Sequence, residues 1–335
     1  MAERNFTIDR DRLAEICVRA YEAYVNNGGV FREGIKKYLP QWNLPVELEY
    51  DPIRTEVREP LMAAQYLFLL VSLERRSLSS VNIRNGLRTW NTPEERWIFN
   101  PLEVAIRDPS ETEEVITRSL QYTLNDFSRN YRENCIKLVR EYDMDPRKII
   151  GGKVFEQAKS ELMTFKGIGT GISNLAIIYF VDRKLATVTD SEDCEMKVDI
   201  HKSRIPVNTN CVTTDEDAIR SDNVSQELEI AYREILKEQG LDALTLDGVL
   251  WVIGSEICAR KNYRKCVSMC PLEEMCSAYT PEVREARGFL IYTKEGGKRV
   301  RVDPRQGIGQ VSFPFFRSFK QDCTPQQDRT SLLKP

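Results

Sequence analysis

Apolar residues recur at three- and four-residue steps through most of the chain before Leu290, which is the period of amphipathic helices. In 10–26, Leu13, Ile16, Cys17, Ala20, Tyr21 and Tyr24 share one face, and Asn27-Gly28-Gly29 supplies a stop. Pro60 opens LMAAQYLFLLVSL, a run apolar on nearly every face that predicts a core helix. The polar ERRSLSS separates it from a second predicted helix over 81–90. Thr92-Pro93-Glu94-Glu95 resembles a helix start, but the stretch to Pro101 is too short and aromatic to assign. The same periodicity predicts helices over 110–119, 130–142, 154–163, 171–180, 226–238 and 247–259, with Asp145-Pro146 breaking the chain after the second of these. Strand alternation is confined to a short piece at 185–188 and a β-hairpin made from 289–292, 294–298 and 300–302. No internal repeat or low-complexity tract interrupts this pattern, so the expected fold class is mostly α.

At 335 residues the chain has room for two compact domains, or one large domain with an appendage. A net charge of -3 and a pI near 5.7 argue against a protein that coats nucleic acid. The charge is segregated, however: 284–320 carries nine basic and three acidic residues, whereas 182–234 carries seven basic and thirteen acidic. One part of the surface can therefore meet phosphates while another stays acidic. The longest apolar run, 62–71, is interrupted by Gln65 and is too short to span a bilayer, which predicts a soluble protein.

Nine cysteines are an odd number, and Cys17, Cys135, Cys194, Cys211 and Cys323 are scattered. With no secretory segment read at the start, a reduced cytosolic protein is expected rather than a disulfide framework. The other four, Cys258, Cys266, Cys270 and Cys276, lie in CARKNYRKCVSMCPLEEMC, dense enough to close around one inorganic centre. Spacing alone does not choose between an iron–sulfur cluster and a structural zinc. Upstream, Gly167-Ile168-Gly169 lies between two helical patterns, where a tight turn can aim amide N–H groups at an anion. By itself such a turn is more often a plain helix connection. Lys197-Val198-Asp199-Ile200-His201 precedes another helix-like stretch. An Asp there is commonly an N-cap, and the chain's single histidine, unable to make a metal site alone, is expected to pack or hydrogen-bond.

Taken in order, the glycine hairpin, VDIH, LDGVLWVIGSEIC and the four-cysteine loop resemble the endonuclease III superfamily of DNA base-excision glycosylases, over roughly 60–276. The resemblance implies a mostly α, two-lobed helix–hairpin–helix fold with a DNA groove between the lobes. The chain then divides into N-terminal helices packing with the cluster lobe (1–55), a helical barrel lobe with the hairpin (56–195), a segment with the catalytic Asp and the cluster (196–285), and a C-terminal β-hairpin and tail (286–335) that the resemblance does not explain. It implies Asp199 as the catalytic carboxylate, stabilising oxocarbenium charge or activating water. Gly167, Gly169, Thr170 and Gly171 would contact DNA. Cys258, Cys266, Cys270 and Cys276 would hold a [4Fe–4S] cluster, although the first two intervals are each one residue longer than the family pattern. Arg260, Lys261, Arg264 and Lys265, in the loop so formed, would meet phosphates and help offset the cost of flipping a base out of the duplex. The hairpin position that carries an attacking lysine in bifunctional members is Gly171 here, which implies a monofunctional enzyme without a strong lyase step. The implied partner is double-stranded DNA with a flipped-out base, bound by a monomer with no membrane association, in the cytoplasm and on the nucleoid if the source is prokaryotic. Two other readings stay open: a non-catalytic protein that recognises distorted DNA, and a zinc-stabilised scaffold with no DNA role.

Several stretches depart from the pattern. The interval between Gly171 and Asp199 is long, and its acidic part, 190–195, is a candidate lid or partner surface. Residues 66–70 carry no acid where adenine-specific members have one. Glu74 falls where family members insert a side chain into the gap left by the flipped base, and the turn Asn125-Asp126-Phe127 is a second wedge candidate, or else a surface turn with a half-buried Phe. Arg284, Arg287, Lys298, Arg299 and Arg301 would extend the phosphate-binding face, and Phe313, Phe315, Phe316 and Phe319 would pack the tail onto the body.

Overall fold

Helix starts in this chain are written by caps and prolines. Asp9, Asn100, Asp108, Asp199 and Asp242 each accept a hydrogen bond from an amide of the first turn they precede, and Pro60, Pro101 and Pro109 open helices where a missing N–H costs nothing. The computed structural model describes residues 6–51, 56–74, 79–122, 125–191, 194–213, 221–258, 268–276, 289–291 and 300–302. In these the protein is mostly helical: α1 (Arg10–Val25), α2 (Pro60–Ser72), α3 (Ser79–Trp90), α4 (Pro101–Ile106), α5 (Pro109–Arg118), α6 (Asn125–Glu141), α7 (Arg147–Ile150), α8 (Phe155–Leu162), α9 (Thr170–Asp182), α10 (Ile200–Asn208), α11 (Ser221–Gln239) and α12 (Ala243–Val252). A π-helical turn, Ile253–Cys258, continues α12. The strands are two or three residues long and pair antiparallel: β1 (Thr7–Ile8) with β4 (Val212–Thr213), β2 (Tyr50–Asp51) with β3 (Glu56–Val57), and β5 (Phe289–Ile291) with β6 (Val300–Val302). The last pair joins the first and last pieces of the expected C-terminal hairpin, whose middle piece, 294–298, lies outside the described residues. No helix among the described residues is long and apolar enough to cross a membrane.

Helix α2 is buried from Ala63 to Ser72 and packs on α9, buried from Ser173 to Phe180, so two apolar helices make the centre of one layer. On the other side α1 packs on α11 and α12, and α10 lies against α11, α12 and the π turn. The stretch before α2 is tied to the end of α9. Gln41 Nε2 and Trp42 Nε1 donate to Asp182 at 2.8 and 2.9 Å, and buried Arg183 donates to the Leu48 carbonyl at 2.9 Å while lying 4.5 Å from the Trp42 ring. Burial pulls the Arg183 guanidinium down to about 10.

Four sequence expectations change. Helix α6 begins at Asn125, not 130, so Phe127 stands in its first turn, 6% exposed and 4.9 Å from the Tyr122 ring; it packs the core and is not a strand wedge. Glu74 is 4% exposed beside Asn82, a buried place from which a gap-filling side chain cannot reach a duplex. The piece at 185–188 forms no strand, and Val188 makes one parallel bridge to Lys153. Helix α12 starts at Ala243, because Asp242 caps it through the Leu244 and Thr245 amides, which places Asp247 inside the helix. Helices α4 and α7, each too short to carry a period, were not predicted.

Candidate active site

The glycine hairpin joins α8 to α9. Gly167 has φ of +80°, a conformation that favours glycine, and Gly169 is the N-cap of α9 without a side chain to satisfy the first-turn amides. The turn is shaped from outside by Asn134 on α6, whose Nδ2 donates to the Lys166 carbonyl at 3.0 Å and whose Oδ1 accepts the Lys166 amide at 2.8 Å. A methyl group at Gly169 would meet nothing within 4 Å, so the start of α9 opens outward, and among the described residues no side chain caps its amide donors. That arrangement suits an anion.

From the hairpin side the chain returns through 194–199 towards α10. Glu195 receives Lys159 of α8 at 2.6 Å, Asn174 of α9 at 3.4 Å and Arg233 of α11 at 2.7 Å. Burial opposes its ionisation, but Lys159, Asn174 and Arg233 together hold the carboxyl below its usual range. Asp190 accepts the Phe155 amide at 2.6 Å at the start of α8. Asp190 and Glu195 are therefore internal ties, while Glu192 and Asp193, the other acids of the candidate lid or partner surface, lie outside the described residues. Next, the alkyl stem of Lys197 lies against α9, its Cγ and Cε 3.8 Å from where a Cβ on Gly171 would be.

Asp199 caps α10 as its position in the sequence suggested, with one oxygen only. Its Oδ1 accepts the His201 amide at 2.9 Å and the Lys202 amide at 3.0 Å, and among the described residues Oδ2 accepts no hydrogen bond. Burial disfavours its charge, yet Lys202, His201, the Lys202 amide and Lys197 outweigh burial and keep the carboxyl below the ordinary aspartate value. His201 packs edge-on to Trp251, ring centroids 5.7 Å apart, and Arg204 Nη1 lies 3.3 Å from its Nδ1. A guanidinium can only donate, so Nδ1 accepts and the imidazole is neutral. Burial lowers its pKa, Asp199 opposing. The His201 carbonyl fits against the π turn because residue 254 is glycine: a Cβ there would sit 2.3 Å from that oxygen.

Behind this segment are charged groups whose contacts with it are not written in the sequence. Val198 N–H donates to Glu229 at 3.2 Å, Lys197 N–H donates to Asp247 at 3.1 Å, and Lys202 Nζ donates to both Asp247 and the Lys197 carbonyl at 2.6 Å. Burial raises the carboxyls of Glu229 and Asp247 above their usual range, in Asp247 against the pull of Lys202. These pairs join residues up to fifty positions apart, and no periodicity announces them. Asn134 is a similar case.

Of the four clustered cysteines, Cys258 is buried at the end of the π turn, Cys270 and Cys276 flank the turn 271–275, and Cys266 lies outside the described residues. Cys276 Sγ is directed at the Asn208 carbonyl at 3.6 Å. Among the described residues no group of three or more His, Cys, Asp or Glu side chains is placed to hold a metal, so the three described thiols do not by themselves make a cradle. Their segment is nonetheless firmly seated. Arg12 donates to the Met275 carbonyl at 2.9 Å, Arg19 pairs with Glu274 at 3.1 Å, and Leu272 and Met275 are core residues. The Met269 carbonyl sits 2.4 Å from where a Cβ on Gly29 would be, so only glycine fits there, at φ of +57°. Arg260, Lys261, Arg264, Lys265, Arg284, Arg287, Lys298 and Arg299 and the tail phenylalanines lie outside the described residues.

Comparison of the sequence with protein-family models and with curated proteins returns no match.

Proposed function

We propose that the protein is a monofunctional DNA N-glycosylase of the helix–hairpin–helix type, acting as a monomer on duplex DNA with a flipped-out damaged or mispaired base. The observation that carries this reading is Asp199: an ionised, part-buried carboxylate that spends one oxygen on its helix and keeps the other, on a segment whose preceding lysine stem lies against the first turn of the hairpin helix. Departure of a base leaves positive charge on the sugar, and a fixed carboxylate stabilises that charge or takes a proton from the attacking water. The uncapped amides of Thr170 and Gly171, reached through Gly167 and Gly169, suit a backbone phosphate. Gly171 offers no amine, and Lys202 is held in a buried ion pair, which supports water as the nucleophile. We assign Cys258, Cys266, Cys270 and Cys276 to a [4Fe–4S] cluster whose role is to shape the loop bearing Arg260, Lys261, Arg264 and Lys265 against phosphates; no chemical step passes through it. Visible absorbance with iron at four per chain is expected, and a colourless protein with stoichiometric zinc removes the cluster from the reading.

The decisive experiment is base release from duplexes carrying oxidised, alkylated, deaminated and mismatched bases. Asp199→Asn is expected to lose base release by roughly 100-fold or more while binding duplex as the parent does. Because Asn caps a helix about as well as Asp, the variant should melt with the parent. A parent protein that binds distorted duplex but releases no base from the panel refutes the enzyme and leaves the non-catalytic reading.

A further inference from the structure

Asp247 and Lys202 are 5% and 2% exposed, and neither belongs to the hairpin or to the cysteine segment. Asp247 sits inside α12, where the helix's own amides are already bonded and a carboxylate finds no local donor. Instead its Oδ1 accepts the Lys197 N–H at 3.1 Å and Lys202 Nζ at 2.6 Å, and the same Nζ donates to the Lys197 carbonyl at 2.6 Å. The two side chains thus close a ring on one residue and take both its backbone donor and its backbone acceptor. Lys202 is held from the other side too, since its own amide donates to Asp199 Oδ1. Residues 197 to 202 form a closed circuit: peptide, cap, helix turn, ammonium and back to the peptide.

A buried ion pair is a poor way to gain stability, because desolvating two charges often costs more than their attraction returns, and well-packed apolar replacements are frequently neutral or stabilising. The arrangement fixes direction instead. Residues 197–199 belong to no helix or strand, Asp199 being extended, so among the described residues no ladder of backbone hydrogen bonds sets the orientation of these peptides. We infer that Lys202 and Asp247 are positioning residues for Asp199, holding the Lys197 peptide, with Glu229 on the next amide, so that the unbonded Asp199 oxygen is kept in one place. Neither residue touches substrate. The inference rests on Asp199 being the reacting carboxylate.

The test is the double variant Lys202→Met with Asp247→Leu, assayed on whichever duplex of the panel the parent protein processes. It is expected to fold, to melt somewhat below the parent because the Lys197 N–H and carbonyl lose their partners, and to bind duplex within about two-fold. Its single-turnover rate should fall by about 10- to 100-fold with KM unmoved, the loss that a displacement near 1 Å produces. A folded double variant that releases base at the parent rate overturns the positioning role and leaves Asp199 untouched. Failure of the parent itself to release any base overturns the reading of Asp199 and this inference with it. Should the double variant not fold, Asp247→Asn keeps size and an acceptor for the Lys197 amide. Assayed below its melting temperature, a reduced kcat at constant KM supports positioning, and an unchanged kcat refutes it.

Discussion

The hairpin and the Asp199 segment meet at Gly171 and Lys197, and they are held by opposite means. The hairpin is shaped by a neutral amide, Asn134, and a positive-φ glycine, and the amides at the start of α9 are left uncapped. The Asp199 segment has its amides claimed by Asp247 and Glu229 and its Lys197 carbonyl claimed by Lys202. A turn that is to receive an anion must keep its donors unspent, and a carboxylate next to it would compete for them. A segment that delivers one carboxylate oxygen has the reverse need: every other polar group on it must be committed. The cost of buried charge falls on the half of the site that requires fixed direction.

The largest break in this comparison comes from Lys202→Met alone. It leaves Asp247 buried without its cation and should destabilise the fold by about 3–5 kcal/mol, read by urea unfolding. A loss below about 1 kcal/mol, as for an exposed pair, would place the two halves on an equal footing. Asn134→Ala, on the neutral side, removes two hydrogen bonds to the hairpin backbone and should cost about 1–3 kcal/mol. It should weaken duplex binding more than the base-release step, measured by anisotropy titration beside single-turnover kinetics. A pH series sharpens the charged side. The His201 pKa is lowered by burial, with Arg204 and Lys202 pushing the same way and Asp199 opposing. The unfolded chain therefore takes up this proton first, near pH 6.5, and stability is lost as pH falls through that region. His201→Asn should shrink the difference between melting temperatures at pH 7.5 and 5.5. The smallest effect belongs to Gly171→Ala: its Cβ would make ordinary 3.8 Å contacts with the Lys197 stem, and the change should stabilise by at most roughly 0.5–1 kcal/mol. A drop in melting temperature would mean that Lys197 packs against α9 more tightly than these distances allow.

Much of the helical content could be read from the sequence, because α1, α2, α5, α8, α9 and α11 are long enough to show their period and carry caps, prolines or stops. Boundaries were lost where a local signal competed. Asn125-Asp126 reads as a turn, yet it starts α6, since burying Phe127 beside Tyr122 rewards one more helical turn. Asp247 was taken as the first residue of its helix, although the working cap is Asp242, five residues earlier. Within the candidate site, Asp199 and the glycine turn were legible because their partners are neighbours in sequence. The contacts of Asn134, Glu195, Glu229, Lys202 and Asp247 were not: each acts on a backbone group or a charge brought near only by packing, and single polar residues on helices, or in a loop for Glu195, resemble solvated surface.

The tight seat between Gly29 and the Met269 carbonyl bears on how the molecule is made. A ribosome releases α1 and Gly29 long before Met269 emerges, so the cysteine stretch arrives last at this contact. The later segment docks onto the earlier one, and any side chain at position 29 would block that docking without altering a single cysteine. A defect there would surface during synthesis, as chains that accumulate half-closed and are cleared. The finished protein would look normal in whatever fraction escaped.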